Sequence, residues 1–308
     1  MRYRDSSGAW EDVDTLSPSS GSSVGAARVV MNAHGDAAVI WHAWYALGIE
    51  LAFHGAGESA WSGPEAVSTV SGPGAKTELS SLDINDAGEV AALWMERAGP
   101  SSAYQVKVRV RQSDGLWGDE IVVSESADVS AFPEVSLNTQ GDMLVVWQEM
   151  VTGLMSIRGR YYSAETSAWE DAQTYSESES HAGLPQVDLD DAGRAVVVWR
   201  QADSAQVGWS LASSGHLVAR TRDSSGAWTG PQPVSPLGQD AFHTAIETRK
   251  ENVKVDGEGR AALAWSAFDG DDYRVFVAHM DPSGAWSSPV ALSTAGQNAK
   301  LPSLALGQ

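Results

Sequence analysis

Five short apolar runs along the chain each end in tryptophan: AAVIW at Trp41, VAALW at Trp94, MLVVW at Trp147, AVVVW at Trp199 and AALAW at Trp265. They are spaced by 53, 53, 52 and 66 residues. A second series, Trp10, Trp61, Trp117, Trp169, Trp228 and Trp286, follows turn-rich segments at steps of 51, 56, 52, 59 and 58. Two interleaved series with one period, about 52 residues, mark a supersecondary unit copied along the chain. Eleven of the thirteen tryptophans belong to them.

Each copy reads as four strands. Strand A alternates and ends in Asn or Asp (ARVVMN, SSLDIN, PEVSLN, PQVDLD, NVKVD), with Gly three residues later, the chemistry of a tight hairpin turn. Strand B is the apolar run, apolar on both faces and so an interior strand. Strand C is clearest at Gln105–Arg111, which alternates strictly, and strand D starts at the second-series Trp. No segment has sustained helical periodicity. Four-stranded antiparallel units at this period predict an all-β fold, a β-propeller of about six blades in one domain spanning 1–308. The blades run 27–74, 75–128, 129–180, 181–238 and 239–296, with a partial blade from 1–26 and 297–308. The start reads as strands C and D and Leu301–Gln308 as strand A, so the partial blade has no strand B; a segment cut from a longer array is the favoured explanation, over a ring closed imperfectly by its two chain ends.

Composition narrows the function classes. Forty acidic residues against twenty basic ones give a formal charge of −20, which argues against nucleic acid and anionic membrane partners. The absence of cysteine removes disulfides and thiolate chemistry. No apolar run spans a bilayer, and Met1-Arg-Tyr-Arg-Asp does not resemble a signal peptide.

The C–D links read Asp5-Ser-Ser-Gly-Ala-Trp10, Asp223-Ser-Ser-Gly-Ala-Trp228 and Asp281-Pro-Ser-Gly-Ala-Trp286. This pattern resembles the Asp-box turn of sialidase-like propellers in its Asp-to-Trp spacing; Gly lies one position later than in that motif. The repeated AVVVW-type strands also resemble those of uncharacterised bacterial secreted proteins. The resemblance implies the propeller fold. In Asp-box propellers these turns are structural and distant from the pocket.

Two connections are long: Trp199 to Trp228 spans 29 residues against 20–23 elsewhere, and Trp228 to Trp265 spans 37 against 30–33. Both fall on the B–C and D–A face, the candidate binding surface. At its rim the sequence places His42, Trp44 and Tyr45; Glu96 and Arg97; Gln148 and Glu149; Arg200, Gln201 and Asp203; and Asp269, Asp271 and Asp272. The insertion adds Asp240, His243, Glu247 and Arg249. Aromatic rings beside carboxylates, amides and arginines suit carbohydrate recognition. The candidate ligand contacts are Trp44, Tyr45, Glu96, Arg97, Glu149, Arg200, Gln201, His243 and Asp271, Trp44 foremost because it lies outside both series. Glu96 and Glu149 occupy equivalent positions and suggest an acid/base pair, with His243, if the protein is an enzyme. The recurring strand-C arginines are expected to pair with acidic neighbours on exposed sheet faces. No cofactor is implied; Asp188–Asp191 and Asp269–Asp272 are weak calcium candidates without EF-hand spacing.

The expectation is an extracellular or cell-surface bacterial module, monomeric within a larger chain, that binds a glycan or an extracellular protein without catalysis. The alternatives are a polysaccharide-active hydrolase or lyase, and a structural repeat scaffold.

Overall fold

A computed structural model describes residues 8, 10, 12–17, 24–43, 48–68, 75–124, 130–203, 215–238, 240–242, 252–300 and 302–305. Among them there is no helix, and none long and apolar enough to cross a membrane. The chain divides into two compact units, Met1–Gly141 and Asp142–Gln308.

The first unit holds two four-stranded antiparallel sheets in sequential order. One is built from β1 (Val24–Met31), β2 (Ala37–Ala43), β3 (Gly48–His54) and β4 (Glu65–Ala66). The other consists of β5 (Lys76–Ile84), β6 (Val90–Arg97), β7 (Gln105–Arg111) and β8 (Ile121–Val122). Strand β9 (Ser130–Leu137) packs against β5 and β6. The second unit begins with β10 (Met143–Val151) paired to β11 (Leu154–Ser163), which also carries the short β12 (Ala168–Trp169) and β13 (Gln173–Thr174). It continues through β14 (Ala182–Leu189), β15 (Ala195–Ala202), β16 (Gly215–Arg222) and β17 (Gln232–Pro233). A last sheet contains β18 (Ala241–Phe242), β19 (Val253–Val255), β20 (Ala261–Phe268), β21 (Tyr273–Met280) and β22 (Val290–Ala291).

These are the strands A to D read from the sequence, with one difference. Strand D is only two residues long, because its opening Trp contributes an isolated bridge, as in Arg111 to Trp117, Arg222 to Trp228 and Met280 to Trp286. Residues 302–305, expected to begin a strand A, lie outside any strand and have no paired neighbour among the described residues.

The strand-B tryptophans fill the space between successive copies. Trp94 packs with Ala38, Ile40, Ile49 and Leu51 of the copy before it. Trp199 does so with Leu144, Val146 and Ile157, and Trp265 with Val196, Val198 and Leu217. All three are fully buried. Burying an aromatic side chain contributes on the order of 1.5–3 kcal/mol, so each indole is a principal tie between copies.

The A–B turns form a second tie. In the first unit Asn32 donates its side-chain amide to the Asn85 carbonyl (3.0 Å), and Asn85 to that of Asn138 (2.9 Å). The same amides are held by Asp36 and Glu89, four residues on. In the second unit Asp190 replaces Asn and Arg194 replaces the acid, forming an ion pair at 2.7 Å. Arg194 then donates to the Gly257 carbonyl, the Asn role taken over by the other partner. In the C–D turns Asp223 Oδ1 accepts from the Ser225 and Ala227 N–H groups, with Gly226 at φ 91°. The Ser225 hydroxyl and these N–H groups hold the Asp223 carboxyl below its ordinary value.

Candidate functional site

Glu96 and Glu149, expected as a catalytic pair, are built into the walls of the copies. Side chains two apart on a strand share a face. Trp94 donates its indole N–H to Glu96 Oε2 (3.1 Å), Trp147 to Glu149 Oε2 (3.3 Å) and Trp199 to Gln201 Oε1 (2.8 Å). The residue opposite the Trp on strand C completes each set: Lys107 pairs with Glu96 at 2.6 Å and Arg158 with Glu149 at 3.3 Å. Opposite Trp199, whose acceptor is a neutral amide, stands Val218. In the first copy position +2 is Ala43, and Trp41 bonds to Glu50 directly opposite (3.1 Å).

The strand-C arginines follow the expected acidic pairing in part. Arg109, Arg160 and Arg220 donate Nε to the carbonyls of Gly118, Glu170 and Thr229 (2.7–2.8 Å) and lie over Trp117, Trp169 and Trp228. A carbonyl and an indole face suit a planar guanidinium whether or not an acid is near. Arg111 with Glu65, Arg158 with Glu149 and Arg222 with Glu170 follow the acidic pairing.

The polar cluster with chemistry to spare lies in the second unit, at the strand ends of the fourth copy. Trp199, Gln201 and Asp203 share a face of β15 and its exit, and His216 on β16 stands opposite Gln201. Asp203 Oδ1 lies 2.7 Å from His216 Nδ1, with the imidazole 10% exposed. A carboxylate accepts, so Nδ1–H donates and the neutral ring keeps its lone pair on Nε2. Gln201 is fixed by donation to the Ser180 hydroxyl (2.7 Å) and carbonyl (3.0 Å). His181 accepts from Met155 N–H through Nδ1 (3.0 Å), which puts its own proton on Nε2. On the opposite face, the fully buried Arg200 donates to Asp240 (2.6 Å) and to the Ala241 carbonyl (3.2 Å). Gly215 makes room for it, since a Cβ there would stand 2.9 Å from Arg200 Cζ. Asp240, at φ 33°, belongs to the insertion, of which residues 240–242 are described.

The first unit has its own rim cluster. Burial lowers the His42 pKa, and its Nε2 lies 2.9 Å from the Thr77 carbonyl and 2.8 Å from the Thr77 hydroxyl. Burial, reinforced by a hydrogen bond to Glu78, pushes Tyr104 up to about 12. Burial raises Glu78, but Lys76 and Tyr104 outweigh it and hold the carboxyl below its ordinary value. Arg97 lies over the Tyr104 ring and donates to the Pro100 carbonyl.

Of the expected site residues, Arg200 and Gln201 belong to the fourth-copy cluster, as does Asp203 from the rim, and Arg97 belongs to the first-unit cluster. Trp44, Tyr45 and His243 lie outside the described residues, as do Glu247 and Arg249. Asp271 is exposed on a hairpin whose Asp269 carboxylate is engaged by the Asp271 and Asp272 N–H groups. Asp188 is bonded to Lys254 and to the Val255 N–H. Among the described residues no three acids or histidines gather as a metal site. His216 and Tyr104 were not singled out by sequence, because each lies at the start of strand C and meets its partner only across a connection of unequal length.

No family model and no curated protein matches the chain. Solved structures do. A polysaccharide lyase of family PL25, an ulvan lyase, aligns with TM-score 0.53 at 10% identity, over 88% of this chain and 71% of its own. The same type of enzyme bound to -[GlcA(1-4)Rha3S]- gives 0.55 at 10% identity with the same coverage. A protein of unknown function from Dyadobacter fermentans gives 0.53 at 10% identity, over 90% of this chain and 85% of its own. The fold is that of the β-propellers, and the resemblance to sialidase-like propellers holds at that level. The expectation of a non-catalytic binding module is corrected by these comparisons: the two ulvan lyase structures that share the fold are of an enzyme acting on a polysaccharide.

Proposed function

We propose that the protein is a polysaccharide-active enzyme, a lyase in preference to a glycoside hydrolase, with His216 as its general base. The observation that carries this reading is the Asp203–His216 pair at the strand exit of the copy flanked by both long connections. An imidazole whose Nδ1–H is held by a carboxylate presents Nε2 as the base and is suited to removing a proton from a sugar carbon. Hydrolysis asks instead for two available carboxyl groups. Glu96 and Glu149, the pair suggested by sequence, are engaged by indoles and cations. The fold shared with ulvan lyases supports the same direction. We read the copies as blades of a propeller of about six, working outside a bacterial cell on a glycan partner.

The test is turnover of uronate-containing and neutral polysaccharides, following new reducing ends and the absorbance of unsaturated products. Elimination predicts both signals together, abolished in His216→Ala with the melting temperature unchanged. Reducing ends without unsaturation would replace the lyase reading by hydrolysis. Turnover undiminished in His216→Ala would remove His216 from the mechanism.

A further inference from the structure

In the fifth copy an aromatic pair stands where strand B gives way to strand C. Phe268 ends β20 three residues after Trp265, in register with Tyr273, the first residue of β21. In the sequence the same position after each strand-B tryptophan holds Trp44, Arg97, Met150 and Ala202. Phe268 is the fifth copy's counterpart of Trp44, and it is 41% exposed.

The ring is held in place from behind. It meets the Tyr273 ring at 5.4 Å between centroids and 57°, a tilted contact of the kind aromatic pairs favour. The Lys300 ammonium lies 3.9 Å from the centroid of Tyr273. Ala299 N–H donates to the Tyr273 carbonyl (2.7 Å), and Tyr273 N–H donates to Asn298 Oδ1 (3.4 Å). Tyr273 is thus a buttress pinned by residues 298–300. A single exposed apolar residue is ordinary. A buttressed ring beside hydrogen-bonding groups is the arrangement that packs on the apolar face of a sugar.

Those groups lie on the connecting hairpin. Asp269 is already engaged by the N–H groups of Asp271 (3.2 Å) and Asp272 (3.0 Å), with Arg274 at 3.9 Å. Asp271 is exposed and Asp272 partly so. The three carboxylates outnumber the two cations beside them, Arg274 and Lys300. Sugar hydroxyls donate to carboxylates, whereas a sulfate or uronate group is repelled by them. Ala267, just before Phe268, pairs with Ala241, whose carbonyl Arg200 holds, so the aromatic pair adjoins the fourth-copy cluster.

We propose that Phe268, buttressed by Tyr273, is a stacking platform for an uncharged sugar residue of a glycan chain. Asp271 and Asp272 accept from the hydroxyls of that sugar. The proposal rests on the glycan partner of the preceding reading and is independent of its elimination chemistry.

The probes are xylohexaose, cellohexaose and mannohexaose, which are uncharged, and hexagalacturonate, titrated calorimetrically into the full-length protein. An uncharged probe should bind at millimolar concentration, and hexagalacturonate more weakly. Phe268→Ala should weaken binding about tenfold at unchanged melting temperature, and Phe268→Trp should restore it. Asp271→Asn should narrow the preference over hexagalacturonate. His216→Ala should bind as the wild type does, so that loss of turnover and loss of this platform are read separately. No binding of any uncharged probe, or binding undiminished in Phe268→Ala, would overturn the proposal. Hexagalacturonate held as tightly as the uncharged probes, and through Phe268, would overturn it as well.

Discussion

Trp94 donates its indole N–H to Glu96 at 3.1 Å, and Lys107 on the adjacent strand meets the other carboxylate oxygen at 2.6 Å. The copies vary this set as a unit: Glu with a cation opposite, Gln with Val opposite, or Ala with Glu opposite. In these four copies the buried indole N–H is satisfied with no lone charge beside it, which is what burial of polar groups demands. Trp265, with Ala267 at +2 and Phe276 opposite, has no hydrogen-bond partner for its N–H among the described residues.

Glu149→Ala should therefore destabilise the protein by about 1–3 kcal/mol, because it strands the Trp147 N–H and removes the partner of Arg158. Glu149→Gln keeps the acceptor, as in the fourth copy, and should cost less while leaving polysaccharide turnover intact. Denaturant melts and turnover of both variants check this. Loss of turnover in Glu149→Gln at unchanged stability would restore a catalytic role to the carboxylate.

The A–B turns predict a coupled exchange. Asn85→Asp alone places a carboxylate beside Glu89 and removes the amide donated to the Asn138 carbonyl. Asn85→Asp with Glu89→Arg recreates the Asp190–Arg194 arrangement. A double-mutant cycle should give a favourable coupling of about 0.5–3 kcal/mol. Simple additivity of the two losses would contradict the equivalence of the turns.

Acid should act through His42. Its folded pKa lies below its ordinary value of 6.5, so the unfolded chain binds its proton first. The stability it contributes is complete above about pH 6.5 and is lost as pH falls through the lowered value. Lys76 and Glu78 are the charged groups that act on it; Lys76 stays protonated, and Glu78, held below 4.5, stays ionised through the start of this fall. His42→Gln should flatten the decline in melting temperature between neutral pH and pH of about 5. An unchanged decline would assign the acid sensitivity elsewhere.

Asp203→Asn should impair turnover more than stability. The amide no longer fixes the His216 tautomer, and a loss of roughly 10²–10⁴-fold is the scale for a disabled acid–base group. Steady-state rates beside melting curves separate the two effects.

Gly215→Ala should cost about 1–3 kcal/mol, since the new methyl would lie 2.7 Å from the Gln201 carbonyl oxygen and 2.9 Å from Arg200 Cζ. Turnover should fall with it, because both neighbours frame the fourth-copy cluster. Wild-type stability would show that the guanidinium has room to move.

The sequence by itself determined the copies, their four strands, the turn chemistry and the buried tryptophans. Period-two alternation, Asx–Gly turns and recurring indoles are local signals that need no partner to be read. Tertiary structure decided which polar residues were free for chemistry. Glu96, Glu149 and the strand-C arginines have the composition of a binding surface, yet each is engaged by a group on its own or an adjacent strand. The Asp203–His216 pair spans thirteen residues across a connection of unusual length, so no spacing rule could join it. Proximity across a sheet is set by register, and register is a property of the folded chain.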